Sequence, residues 1–221
     1  MEGEVWIGVA FAKEYRLMLS FMIDGLEPSL AGPLVDRTEE RIRKGSWPVW
    51  VSDGMDAYGE ALKGRHCILK IYPRTGKRGR PRRDKLVACP ELRYGQVVKE
   101  RDERHRVIGV FKRCRYGDIP LHKITMVYIE RHNLTLRHEN RRLTRKTIAF
   151  SKKVEGLWDQ LFLYQGYYNF VRPHRGLKRR ILAGNHTLQK WQRRTPALAA
   201  KLTDHVWSLK EFMTKRVFIN Y

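Results

Sequence analysis

Acidic side chains are scarce in this chain. Over 221 residues, 23 Asp+Glu stand against 45 Lys+Arg, a formal net charge of +22. A compact molecule with that excess repels itself, and a polyanionic partner is the usual resolution, nucleic acid foremost. Long apolar runs are missing as well: none approaches the roughly 20 residues a membrane span needs, so no membrane role is expected. Only three cysteines occur, Cys67, Cys89 and Cys114, with no Cys-x-x-Cys pair. That excludes a disulfide framework and a zinc finger, and it points to a reducing, cytoplasmic setting. The opening Met1-Glu2-Gly3-Glu4 is acidic and runs straight into alternating apolar residues, which is not the pattern of a signal peptide.

Apolar residues are not lacking. They make up 42% of the chain, enough for a core, and Trp, Tyr and Phe are interleaved with the cations. Residues 4–11 and 17–23 alternate as strands, the second ended by the turn signal Asp24-Gly25. A third strand is expected near Leu30 to Val35, then a helical segment from Arg37 to Ile42. Pro48-Val49-Trp50-Val51 reads as a strand that stops at Ser52-Asp53-Gly54, with a helix from Met55 to Lys63 and a strand from His66 to Tyr72. Residues 74–118 turn Gly-, Pro- and Arg-rich and read as a basic insertion. From Ile124 to about Tyr168 the spacing is helical, interrupted around Thr144 to Ser151. This order predicts a mixed α/β fold.

Two carboxylates stand out by position. Asp53 ends a strand and is followed by small Gly54, so a ligand can approach it at a sheet edge. Glu130 opens the late helix, and Arg137 and Arg141 follow seven and eleven positions on, sharing its face; Arg145 falls near that face if the helix persists. A carboxylate followed by guanidinium groups suits a helix that holds a hard cation at one end and tracks phosphates with the rest. The competing reading is a solvated, ion-paired face, with Glu139 almost the only acid able to neutralise Arg131, Arg137, Arg141, Arg142, Arg145 and Lys146. Arg78-Gly79-Arg80-Pro81-Arg82 has the form of a minor-groove hook, or equally of a plain backbone-contacting loop. The stripe Leu157, Leu161, Tyr164, Tyr168 reads as core, Trp191 and Trp207 as buried anchors in preference to base-stacking groups, and His174 as a substrate contact or a packing residue set by Pro173.

The stretch Tyr128-Ile129-Glu130-Arg131-His132-Asn133-Leu134-Thr135-Leu136-Arg137, then Arg142-Leu143-Thr144-Arg145-Lys146-Thr147 and Phe150-Ser151-Lys152-Lys153, closely resembles the IS-one-like group of DDE transposases. So do Val51-Ser52-Asp53-Gly54-Met55-Asp56-Ala57-Tyr58, the segment Tyr168 to His174, and the tail from Thr195 to Leu209. The resemblance implies an RNase-H-like mixed sheet flanked by helices, a core over residues 1–175 with the insertion before the catalytic helix, and a tail over 176–221. It implies Mg²⁺ (or Mn²⁺), and cleavage and strand transfer at insertion-sequence ends, with transposon-end and target DNA as partners. A homodimer or higher homo-oligomer on DNA and nucleoid association go with it. Asp53 becomes the second catalytic acid and metal ligand, Glu130 the third. Arg137, Arg141, Arg145, Lys146, Arg78, Arg80 and Arg82 become DNA contacts. The first acid belongs where Gly3 stands, in Gly3-Glu4-Val5-Trp6. Glu2 and Glu4 point to the opposite strand face and cannot substitute without a register shift. A truncated or decaying copy is therefore expected. The rival readings are a non-catalytic DNA-binding remnant or regulator, and a general RNA-binding protein.

Overall fold

The computed structural model describes residues 5–72, 82–144, 148, 151–181 and 191–215. Gly3, Arg78, Arg80, Arg145 and Lys146 lie outside the described residues. The chain divides into two compact units, one of residues 1–8 and 22–127, the other of 9–21 and 128–221.

Strands β1 (Trp6–Ala12) and β2 (Leu17–Asp24) pair as a hairpin whose chain runs through both units. In the first unit helix α1 (Ala31–Glu39) follows, and it corrects the expected third strand at Leu30–Val35. Leu30, Leu34, Val35 and Thr38 are buried at helical spacing, and Pro33 sits in the first turn, where a missing N–H costs nothing. The expected helix from Arg37 to Ile42 is only the end of α1, which stops at Glu39.

Strand β3 (Val49–Asp53) leads into α2 (Asp56–Arg65), and α1 packs on α2. Strands β4 (Cys67–Lys70) and β5 (Lys85–Ala88) form a separate antiparallel pair. Strands β6 (Arg93–Arg101) and β7 (Val107–Tyr116) complete a mixed sheet of order β3-β6-β7, with β3 parallel to β6 and β6 antiparallel to β7. The segment read as an insertion thus contributes two strands to the sheet that carries Asp53, with Arg93–Val97 of β6 pairing directly with β3. Its polar, Gly-containing composition reflects strands exposed over half their length.

The sheet's two faces bury different clusters. Val35, Leu62, Leu92 and Tyr94 pack with Trp50 and Tyr58 on one side; Val97, Ile119 and Ile124 pack with Val49 and Val51 on the other. Ile124 lies flat on β6 at Gly95, where an added Cβ would meet Ile124 Cδ1 at 2.6 Å. Glycine is required there by close approach.

In the second unit α3 (Val127–Glu139) and α4 (Val154–Gly166) pack with the hairpin's inner residues. Leu157, Leu161, Tyr164 and Tyr168 are all buried, as their spacing predicts. A π-helical turn, Tyr167–Val171, extends α4 and turns Asn169 inward. Its Oδ1 accepts from Met18 N–H at 3.1 Å and its Nδ2 donates to Met18 C=O at 2.9 Å, while Gln165 donates to the carbonyls of Met18 and Leu19. Two side-chain amides thereby bond to the backbone of β2 at Met18 and Leu19.

The tail adds a short pair, β8 (Arg179–Arg180) with β9 (Trp191–Gln192), and helices α5 (Pro196–Ala199) and α6 (Leu209–Thr214). Trp207, half-buried, packs tilted against Phe170 at 4.6 Å and its ring N–H donates to Thr203, so it anchors the tail. Trp191 does not. It is 44% exposed in a two-residue ladder, with the Lys178 ammonium 4.6 Å from its ring centre.

Candidate functional site

The structure positions the two candidate acids in different units. Asp53 is the last residue of β3, at the carboxyl end of a parallel strand pair, opposite Val97 of β6. By strand alternation it shares the face of Val49 and Val51. Its carboxylate is exposed, and Oδ1 accepts the Met55 N–H at 3.3 Å, closing the turn into α2. Gly54 keeps that turn against Val98, which would meet a Cβ at 3.4 Å.

A polar brace that the sequence did not announce holds the turn from behind. Gln96 is fully buried; its Nε2 donates to Met55 C=O at 3.1 Å and its Oε1 accepts from Arg113 Nε at 2.7 Å. Arg113 and Arg115 both reach Asp56 Oδ1 at 3.3 Å. The only available signal was a Gln at an inward-facing strand position, which needs partners for both ends of its amide. Beside it the Ser52 and Tyr94 hydroxyls share a 2.6 Å hydrogen bond. Burial, with the Asp53 charge second, pushes the Tyr58 hydroxyl up to about 12, so it stays neutral next to the acid.

In the second unit Glu130 lies exposed in the first turn of α3, as the spacing predicts. Arg137 is exposed two turns on, along the same side. The expected stripe ends there. Asn140 is extended at φ −120° and buried, its Nδ2 donating to Leu136 C=O at 2.8 Å and its Oδ1 accepting from Gln160 at 2.9 Å. An amide that caps its own helix and bonds to α4 stops propagation, so Arg141 sits in a separate 3₁₀ turn, Arg141–Leu143. Arg141 is exposed, whereas Arg142 donates to Gly156 C=O at 2.8 Å and fixes the start of α4. Glu139 pairs with Arg172 at 2.6 Å, so it does not neutralise its own helix.

His174 has a structural part here. Its N–H donates to Arg194 C=O and its Nδ1 accepts from Gly176 N–H at 3.1 Å, forming the turn after Pro173. His132, unremarked in the sequence, is 3% exposed, stacked on Phe11 at 4.7 Å and edge-on to Tyr168 at 4.6 Å, with neither ring nitrogen hydrogen-bonded. Burial, aided by the nearby His174 and Arg172, pushes it down to about 4. Arg82, alone of the hook residues among those described, is exposed with its guanidinium 5.6 Å from the Tyr72 ring.

Among the described residues no group of three or more His, Cys, Asp or Glu could hold a metal ion, and no helix is long and apolar enough to cross a membrane.

Comparison with known proteins adds one family likeness. Residues 112–164, from β7 through α3 into α4, match the family model described as IS1 transposase. The match spans 53 of the 221 residues and supports an IS1-like transposase. No curated protein and no solved structure matches the chain.

Proposed function

We propose that the chain carries the DNA cutting-and-joining site of an insertion-sequence transposase on an RNase-H-like core. In this reaction water hydrolyses a phosphodiester at an element end and frees a 3′ hydroxyl. That hydroxyl then attacks a target phosphodiester, forming one P–O bond as another breaks, so the bond count is conserved. The observation that carries the reading is the family match across α3, which contains Glu130 and Arg137. Asp53, exposed at the carboxyl end of β3, supports it from the other unit.

Mg²⁺ or Mn²⁺ belongs to this chemistry. Asp53 and Glu130 offer the hard carboxylate oxygens such ions take. With no group of three such ligands among the described residues, the donor set fits a metal pair only in part. The chain's own contribution is positioning. The Gln96–Arg113 brace holds the Asp53 turn, and Arg137 and Arg141 supply guanidinium donors for the DNA backbone.

Glycine at position 3 favours a second reading, a non-catalytic DNA-binding protein that occupies element ends. One experiment separates the two. The chain is incubated at low salt with Mg²⁺ and a duplex taken from the DNA flanking its own coding sequence, intact to read cleavage and pre-nicked to read joining. Little or no cleavage is expected from the unmodified chain, cleavage from Gly3→Asp, and none from Gly3→Asp with Asp53→Ala. Strong cleavage by the unmodified chain would overturn the assignment of position 3 as the missing ligand. Silence of Gly3→Asp on the pre-nicked end favours the non-catalytic reading.

A further inference from the structure

The loop that joins α1 to β3 borders a pocket with no part in the chemistry at Asp53. From Arg41 to Pro48 the loop holds three cations, Arg41, Arg43 and Lys44, and no acid. Its course is fixed at two points. Ser46 closes a turn on Arg43, its N–H donating to Arg43 C=O at 3.1 Å and its hydroxyl at 2.6 Å. Further on, the Trp47 carbonyl accepts from the guanidinium of Arg93, the first residue of β6. Trp47 is nonetheless 39% exposed, its ring edge-on to His66 with centres 5.1 Å apart.

Trp47, Trp50, Ile42 and His66 wall a pocket of about 190 Å³, with the exposed Arg43 and Lys44 at its rim. Trp50 is held from behind by the cluster that contains Leu62 and Tyr94. The acid in the lining, Glu39, is engaged by His66 Nε2 at 2.5 Å. Size limits the occupant. A cavity of roughly 150 Å³ holds one benzene ring, whereas sites for whole drug-sized ligands begin at roughly 300 Å³. The pocket therefore takes one planar ring system and excludes an extended cofactor. Chemistry narrows it further. Aromatic faces stack on any nucleobase, and cations at the mouth match the phosphate attached to it. A base inside a duplex is enclosed by its neighbours, so one enters only from a single strand or after extrusion from the stack.

We infer that this pocket binds an unpaired nucleotide of a DNA strand, the base against Trp47 and the phosphate at Arg43 and Lys44. The inference takes DNA as the partner from the transposase reading, and it needs neither Asp53 nor Glu130. Binding is read without cleavage, so the two can fail separately.

Fluorescence anisotropy of the full chain at fixed salt, without Mg²⁺, tests this with three labelled DNAs of equal length: a single strand, its blunt duplex, and that duplex carrying one unpaired nucleotide. Trp47→Ala should weaken binding of the single strand and the bulged duplex about tenfold, the size of one lost stack, and leave the blunt duplex within about twofold. Trp47→Phe keeps a ring beside His66 and should recover most of the loss. The same variant covers the case in which alanine disturbs the loop, because the quenching of tryptophan emission by bound single strand should shrink in it relative to the parent. Equal losses on all three DNAs, no loss on any, or an unchanged quench in Trp47→Phe overturns the inference. So does a free deoxynucleotide that displaces the strand at equal concentration, because the pocket would then be a small-molecule site.

Discussion

Replacing His132 by Phe isolates one buried group whose protonation the fold opposes. The ring is 3% exposed, bonded through neither nitrogen, and held near neutral with its titration pushed from 6.5 down to about 4. In the unfolded chain it takes its proton near 6.5. Between those values the unfolded state binds more protons, so stability is full above about pH 6.5 and is lost as pH falls toward 4. The complete difference is about 3 kcal/mol at roughly 1.4 kcal/mol per unit, of which about 2 kcal/mol is gone at pH 5. Phenylalanine retains the stack on Phe11 and the edge contact with Tyr168, and it removes two nitrogens that have no partner. Urea unfolding at pH 7 and pH 5 for both proteins gives the test. At pH 7 the variant should equal or exceed the parent; at pH 5 its advantage should grow by about 2 kcal/mol. Taking the difference between the two proteins cancels the titrating groups that do not interact with His132. Parallel losses between pH 7 and pH 5 would refute the reasoning, since they would mean that His132 is protonated or hydrated in the folded state.

Three other substitutions probe features of each unit. Arg137→Ala with Arg141→Ala should lower DNA affinity and reduce the slope of log affinity against log salt by about 2, roughly one per lost phosphate contact; an unchanged slope in a filter-binding titration would take both residues off the DNA. Asn169→Ala leaves the buried Met18 N–H without its acceptor and should cost about 1–3 kcal/mol in urea unfolding; a loss under about 0.5 kcal/mol would show that water replaces the amide. Gly95→Ala forces Ile124 off the sheet and should cost about 1–3 kcal/mol, partly recovered by adding Ile124→Val; no recovery would mean that the strand itself, not the contact, is disturbed.

Where side-chain periodicity and burial agree, the sequence carried the fold. The alternation in β1, β2 and β3 and the Leu157–Tyr168 stripe follow from which faces are covered, and each is found close to its expected position. Leu30 to Val35 failed because a short apolar run fits either period; Pro33, tolerable in a helix's first turn and poor in a sheet, was the discriminating residue. Residues 93–116 were hidden because Tyr94 to Val97 are covered on both faces while most of the remaining hairpin is exposed on both, and neither half has a one-sided pattern to read. Asp53 and Glu130 were legible because strand ends and helix starts are marked locally. Gln96, Asn169 and His132 were not, because their roles depend on partners brought in from distant segments.

The break at Asn140 has a consequence for how a straight object meets a curved one. Helix α3 has 13 residues and is about 20 Å long. A duplex completes a turn in about 34–36 Å, so over α3's length a phosphate strand winds more than half way round its axis. A rod carrying all its cations on one side would touch that strand at one point and diverge from it on either side. Ending the rod after Arg137 and restarting the chain in a short turn at Arg141 lets the second cation take a new heading. On the transposase reading, the amide of Asn140 sets the angle between two successive grips on a winding backbone, and that angle, more than the number of arginines, would set how well the protein follows the groove.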